Sequence, residues 1–237
     1  MPKKSRSTNH ALTIIDQPQR DVVIIMNGAT TPVQVDAAFR VPDVHPSISG
    51  PWSGEWDKIA WRDAATGYPC VIRRSPTTGH LGGYVAVPPG HPLHGWPSDA
   101  LIGLHIAVHN SIEYAAACEH DMSEATSVCH VVEPTRSAET QVVHRNAAAV
   151  RPHDDAWWFG FECNGPEDVL PTDPKQYAEG KLLDGVTERV YRDEAFVHGE
   201  CTRLAMQFAA VADGRDPIEV MIPPVLADVH APRKAGR

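Results

Sequence analysis

Apolar and polar positions alternate in short stretches along most of this chain, and only near its end does the period lengthen to that of a helix. Residues 21–26 form a β-branched run that stops at Asn27-Gly28, a turn-forming pair, and Thr31-Pro32-Val33-Gln34-Val35 is placed to return as the second arm of a hairpin. Residues 69–74 and 80–87 repeat the pattern around a Ser-Pro-Thr-Thr-Gly turn, and Pro88-Pro89-Gly90 ends the second arm. A polar loop then leads into residues 102–109, read as one more short segment. Residues 157–163 read as a buried strand closed by Asn164-Gly165-Pro166. From residue 191 to 212, Ala195, Val197, Cys201, Leu204, Ala205 and Phe208 recur at helical spacing, with Gly214 as the stop. Residues 173–189 are expected to add a shorter polar helix. The pattern predicts an α+β fold, a mostly antiparallel sheet with one long C-terminal helix packed on it. Residues 1–20 read as a flexible arm and 21–212 as a single α+β domain. A polar, alanine-rich insertion at 133–155 interrupts that domain, and 213–237 form a C-terminal extension.

Composition narrows the classes. Of the 237 residues, 42% are hydrophobic and 22% charged, which excludes a disordered or fibrous chain. No run approaches the ~18 apolar residues of a membrane span. The basic start has too short an apolar stretch for a signal peptide, so a cytoplasmic location is expected. A net charge of -9 argues against nucleic acid as a partner. The 21 Pro fit many short elements and loops, and the 13 His are the compositional hint of chemistry. Five Cys, an odd number without a secretion signal, read as reduced thiols.

The histidines fall into a few constellations. His91 and His94 lie three apart on a Pro/Gly loop and could share a metal, or simply flank a turn. His105 and His109 lie four apart, on one face of either a strand or a helix. Cys118, His120, Cys129 and His130 are zinc-competent residue types, but they lack the two-residue spacing of a zinc finger, and buried thiols beside a histidine are the competing reading. Glu162, Cys163 and Asp168 follow the aromatic run at 157–159, where a carboxylate at a strand end could ligate a metal or take a proton. His109 and His130 are its natural partners.

The order of these segments resembles a family of bacteriophage and bacterial proteins for which no activity is established. The resemblance is carried by Gly67-Tyr68-Pro69-Cys70-Val71-Ile72-Arg73, by Gly79-His80-Leu81-Gly82-Gly83-Tyr84-Val85-Ala86-Val87-Pro88-Pro89-Gly90-His91-Pro92-Leu93-His94-Gly95, by His109-Asn110-Ser111, by Val128-Cys129-His130, and by Trp157-Trp158-Phe159-Gly160-Phe161-Glu162-Cys163. Asp168 and Tyr191-Arg192-Asp193 complete it, so it spans residues 52–208. The family pattern has His-Gly-Gly-Leu-Thr where this chain has His109-Asn110-Ser111-Ile112-Glu113. It has Asp and His where this chain has Glu162 and Gly165.

Together these residues suggest a small metal-assisted, hydrolase-like enzyme of phage or prophage origin. His109 and His130 would hold a divalent metal, zinc foremost, while Glu162 and Asp168 act on water. The alternative is a non-catalytic phage accessory protein that binds a host protein. Trp52, Trp56, Trp61 and Trp96 would then form its interface, unless they fill the core instead.

Overall fold

The computed structural model describes residues 18–119, 122–129, 155–173 and 189–220, with the backbone of two short paired strands, Tyr177–Ala178 and Lys181–Leu182. Five strands follow one another as an antiparallel meander: β1 (Gln19–Ile24), β2 (Val33–Phe39), β3 (Lys58–Arg62), β4 (Pro69–Arg74) and β5 (Leu81–Val87). β6 (Tyr114–Ala117) and β7 (Trp157–Glu162) complete the sheet in the order β1-β2-β3-β4-β5-β7-β6. Every neighbouring pair is antiparallel. β7 therefore slots between β5 and the edge strand β6, which precedes it in the chain.

The helix α1 (Glu194–Ala212) lies across one face of the sheet, against β4 and β5. Its Val197, Cys201, Leu204, Ala205 and Phe208 meet Ile59, Trp61, Ile72, Leu81, Val85, Phe159 and Phe161 in the main core. The Asp193 carboxylate begins the helix by accepting from the Phe196 amide at 2.9 Å, so the helix starts three residues after the expected 191. Beneath that end sits buried Arg74. It donates to Glu55 at 2.9 Å and Asp57 at 2.7 Å, which balances a charge that burial alone would make costly. The opposite face carries Ala37, Phe39, Ala60, Val71, Tyr84, Ala86 and Trp158, covered by Ala125, Val128 and Ala156.

The α+β class, both hairpins, the strand at 157–162 and the long helix are as expected. β3 and β6 are additions: one is a five-residue run after a Pro-rich connector, the other is mostly alanine. Residues 102–109 form no strand. Gly103 and His105 adopt φ of +92° and +57°, which breaks an extended segment, and the Gln207 amide bonds both the N–H and the C=O of Ala107 in place of a strand partner. In place of the polar helix expected at 173–189, residues 177–178 and 181–182 are strands, while 174–176, 179–180 and 183–188 lie outside the described residues. So do 1–17 of the arm, 133–154 of the insertion and 221–237 of the extension, whereas Gln19 and Arg20 of the arm belong to β1.

The reading of all five cysteines as reduced thiols is corrected. Cys118 and Cys129 form a disulfide with Cα atoms 5.0 Å apart, because the end of β6 and the segment 122–129 meet on the face opposite the helix. Cys70, Cys163 and Cys201 are free and buried. Among the described residues no helix is long and apolar enough to cross a membrane.

Candidate functional site

Sheet register lines up one row of residues on the face opposite the helix. Lys58 of β3 pairs with Arg73 of β4, Arg73 with Gly82 of β5, and Gly82 with Glu162 of β7. Gly82 contributes no side chain, so the row has a gap with a cation on one side and a carboxylate on the other. His80 and Tyr84 stand two positions to either side of Gly82 on the same face and close the gap's ends. The result is a well of ≈ 250 Å³, also lined by Ser75, Thr77 and Asn164.

A continuous hydrogen-bond chain runs round this well. His80 Nδ1 meets Thr78 Oγ1 at 2.6 Å, and His80 Nε2 meets Glu162 Oε2 at 2.9 Å. The Tyr84 hydroxyl donates to Glu162 Oε1, and Arg73 donates to the Tyr84 oxygen at 3.1 Å. Burial and the charge of Glu162 push the Tyr84 phenol well above its ordinary pKa, so it remains a donor. Two glycines make the room. A Cβ on Gly82 would overlap the Glu162 carboxylate, and one on Gly160 would overlap the Tyr84 ring. The Glu162 side chain keeps 21% of its surface exposed to the well. The arrangement offers a part-exposed carboxylate as proton acceptor, held by the Tyr84 hydroxyl and His80, with the Arg73 guanidinium as donor to developing negative charge.

A second centre lies at the exit of β7. His109 Nε2 meets Asp168 Oδ2 at 2.8 Å, and Arg192 Nε donates to Asp168 Oδ1 at 2.9 Å. Burial works to raise the Asp168 carboxyl, but the hydrogen bonds from Arg192, His109 and the Gly165 amide outweigh it and hold the pKa below the ordinary value. The His109 ring stands edge-on to Phe196 of α1, and its backbone N–H donates to Glu200. Asn110, at φ +57°, donates to both the Glu162 carbonyl and Asp168. The Asn110 side chain fills the space that a side chain at Gly165 would need.

The structure thus brings His109 and Asp168 together, while the Glu162 side chain makes its contacts separately with His80 and Tyr84. His130, proposed beside them, lies outside the described residues. Among the described residues no group of three or more His, Cys, Asp or Glu could hold a metal ion. The Asp168 oxygens already serve Arg192, His109, Asn110 and the Gly165 amide, a poor setting for a cation ligand. His91 and His94 are not joint ligands. His91 bonds the Phe208 carbonyl and the Leu93 amide, while His94 bonds the Asp155 carbonyl. His105 pairs with Asp216 at the surface. His120 lies outside the described residues, and Cys118 and Cys129 are taken by their bridge.

Of the tryptophans offered as an interface, Trp52 and Trp61 are buried, Trp56 is half-buried under Arg40, and Trp96 is exposed. Sequence reasoning missed Arg73, His80 and Tyr84 as site residues. Their signal is present in His80-x-Gly82-x-Tyr84 on an expected strand, where alternation puts all three on one face. What the sequence lacks is the partner strand. No family model, curated protein or solved structure matches the chain.

Proposed function

We propose that this chain is a small hydrolase-like enzyme whose reaction centre is the Glu162 well. Glu162 accepts a proton from water or a substrate hydroxyl. His80, held by Thr78, and the Tyr84 hydroxyl orient the carboxylate, while Arg73 stabilises negative charge on the substrate. The observation that supports this reading is the row Arg73–Gly82–Glu162, in which a missing side chain opens space between opposite charges on three adjacent strands. The well's ≈ 250 Å³ lies under the ~300 Å³ at which drug-sized sites begin, so the substrate, or the part of it that enters, is small and polar. His109 and Asp168 shape the loop that leaves β7 rather than touching the substrate.

A metal-assisted form of the same reading needs His130 to join His109, and metal analysis of the wild type beside His109→Ala tests it. Phage or prophage origin rests on the motif resemblance alone. The accessory-protein alternative loses its support at Trp52 and Trp61, which fill the core.

The test is turnover of a panel of chromogenic carboxylic esters, amides, phosphomonoesters and phosphodiesters. Wild-type activity on at least one class is expected to fall ~10²–10⁴-fold in Glu162→Gln and to stay within about tenfold in His109→Ala. Equal turnover by Glu162→Gln, or no turnover of any class by the wild type, removes the reading.

A further inference from the structure

The strap between Cys118 and Cys129 serves the sheet beneath it with oxygen atoms. Lys58 donates its ammonium protons to the backbone carbonyls of Glu124 and Cys129. Arg73, the next residue in the row, donates to the Glu119 carboxylate at 3.1 Å and to the Thr126 carbonyl at 3.2 Å. Glu119 is fixed in turn by the Val128 amide at 2.7 Å. Lys58 is fully covered, and the apolar anchors of the strap's described residues are small: Ala125 and Val128. Besides the Arg73–Glu119 pair, the strap is tied to β1 by a part-exposed Arg20–Glu124 ion pair at 2.6 Å. Apart from polar contacts that water can replace, its order therefore rests on two small side chains and the covalent bridge.

We propose that the Cys118–Cys129 disulfide is a redox-sensitive clamp, and that its reduction by a dithiol lets the strap lift from Lys58 and Arg73. Cys118 is half-exposed and Cys129 buried, so the dithiol's thiolate attacks the Cys118 sulfur and expels Cys129 as a thiolate. The dithiol's second thiol then attacks the mixed disulfide. Two thiols remain on this chain, and one disulfide, with the two electrons lost, remains on the reductant. Lifting the strap uncovers the Lys58 amine, which is fully covered and bonded to two strap carbonyls while the bridge is intact, and so opens it to acylating reagents. It also removes two acceptors from Arg73. That last consequence for the well rests on the functional reading above, whereas the clamp itself does not.

The experiment uses the full chain in three forms: oxidised, dithiothreitol-treated, and Cys118→Ser/Cys129→Ser. Each is pulsed with an acetylating ester and with a thiol alkylator, and the labels are located by peptide mass spectrometry. Lys58 acetylation is expected to be about tenfold faster or more in the reduced and double-serine forms. Alkylation is expected at Cys118 and Cys129 only after reduction, with Cys70, Cys163 and Cys201 protected throughout as internal reporters of the intact core. Unchanged Lys58 labelling on reduction overturns the clamp. So does alkylation of Cys118 or Cys129 without reductant. Labelling of all five cysteines after reduction overturns it as well, because the bridge would then be a staple of the whole fold. Panel turnover plays no part in these outcomes, so a failure of the clamp and a failure of the Glu162 reading remain distinguishable.

Discussion

Adjacent glycines on β5 do different work, and single substitutions separate them. The atoms nearest to a Cβ on Gly82 are those of the Glu162 carboxylate, the far end of a side chain that can swing away. A Cβ on Gly83 meets the Phe161 ring and lies 2.7 Å from Cys201 Sγ, both packed in the main core. Gly82→Ala is therefore expected to keep a wild-type thermal midpoint within ~2 °C while lowering panel turnover by ~10-fold or more, because Glu162 loses its place. Gly83→Ala is expected to cost about 1–3 kcal/mol through overpacking, read as a fall in Tm. The reverse pattern, with Gly82→Ala unstable and Gly83→Ala silent, would show that the well is not an opening in the sheet. At this scale the sequence exposed Glu162, His109 and Asp168 through their place at the end of a strand or inside a motif. It offered His109 as a partner for the carboxylates at 162 and 168, and His109 does meet Asp168, but it did not expose that Glu162 would turn to His80, 82 residues away. Side-chain partners at such separations depend on register, which no local spacing records.

Among the elements, the start of α1 does more than begin a helix. Asp193 caps it, Glu194 accepts from the backbone amides of Asn27 and Trp56, and Ala195 N–H bonds the Asn27 carbonyl. The β1–β2 turn is thereby fastened to the helix end, and Gly28, at φ +83°, is required there both by the turn and by the closeness of the Asp193 carboxylate. Asp193→Ala is expected to cost about 1 kcal/mol and lower Tm by ~2–4 °C, with Asp193→Asn restoring most of the loss. A neutral outcome for Asp193→Ala would show that the tertiary contacts alone hold the helix start. Hairpins 19–39 and 69–87 were legible in the sequence because turn residues and period-two alternation are local. β6 was not, because a run of alanines carries no strand signature and becomes a strand only beside β7.

The whole molecule carries its ionisable groups unevenly, and its stability should follow pH accordingly. Burial, reinforced by nearby Glu55, raises the Glu194 carboxyl from 4.5 to about 7, although two backbone amides work to lower it. The folded state therefore holds the Glu194 proton more tightly than the unfolded chain, and stability falls as pH rises from about 4.5 through 7. The loss amounts to roughly 3 kcal/mol at most. Asp57 and Asp168 have lowered pKa values, because hydrogen bonds and nearby cations outweigh burial. Their contribution is present above 3.8 and lost as pH falls through the folded values. Burial lowers the pKa of the His91 and His198 imidazoles, so their contribution works the other way and rises with pH toward 6.5. The Glu194 contribution is therefore read as the difference in pH dependence between the wild type and Glu194→Gln in thermal unfolding from pH 3 to 8. Glu194→Gln should remove the component that falls between pH 4.5 and 7, even though it starts from lower stability because a Gln oxygen cannot serve both amides. A pH slope between 4.5 and 7 that is the same in the wild type and Glu194→Gln would contradict the assignment. Read alone, the sequence determined the α+β class, the two local hairpins, the strand at 157–162, and the long helix with its stop. All of these rest on φ/ψ preferences and periodicities that neighbouring residues set. Only the tertiary structure decided that β7 lies between β5 and β6, that Gly82 stands between Arg73 and Glu162, and that Cys118 meets Cys129. Strands distant in sequence find their neighbours and register through the burial of whole faces, a free energy that belongs to the assembled core and to no single segment.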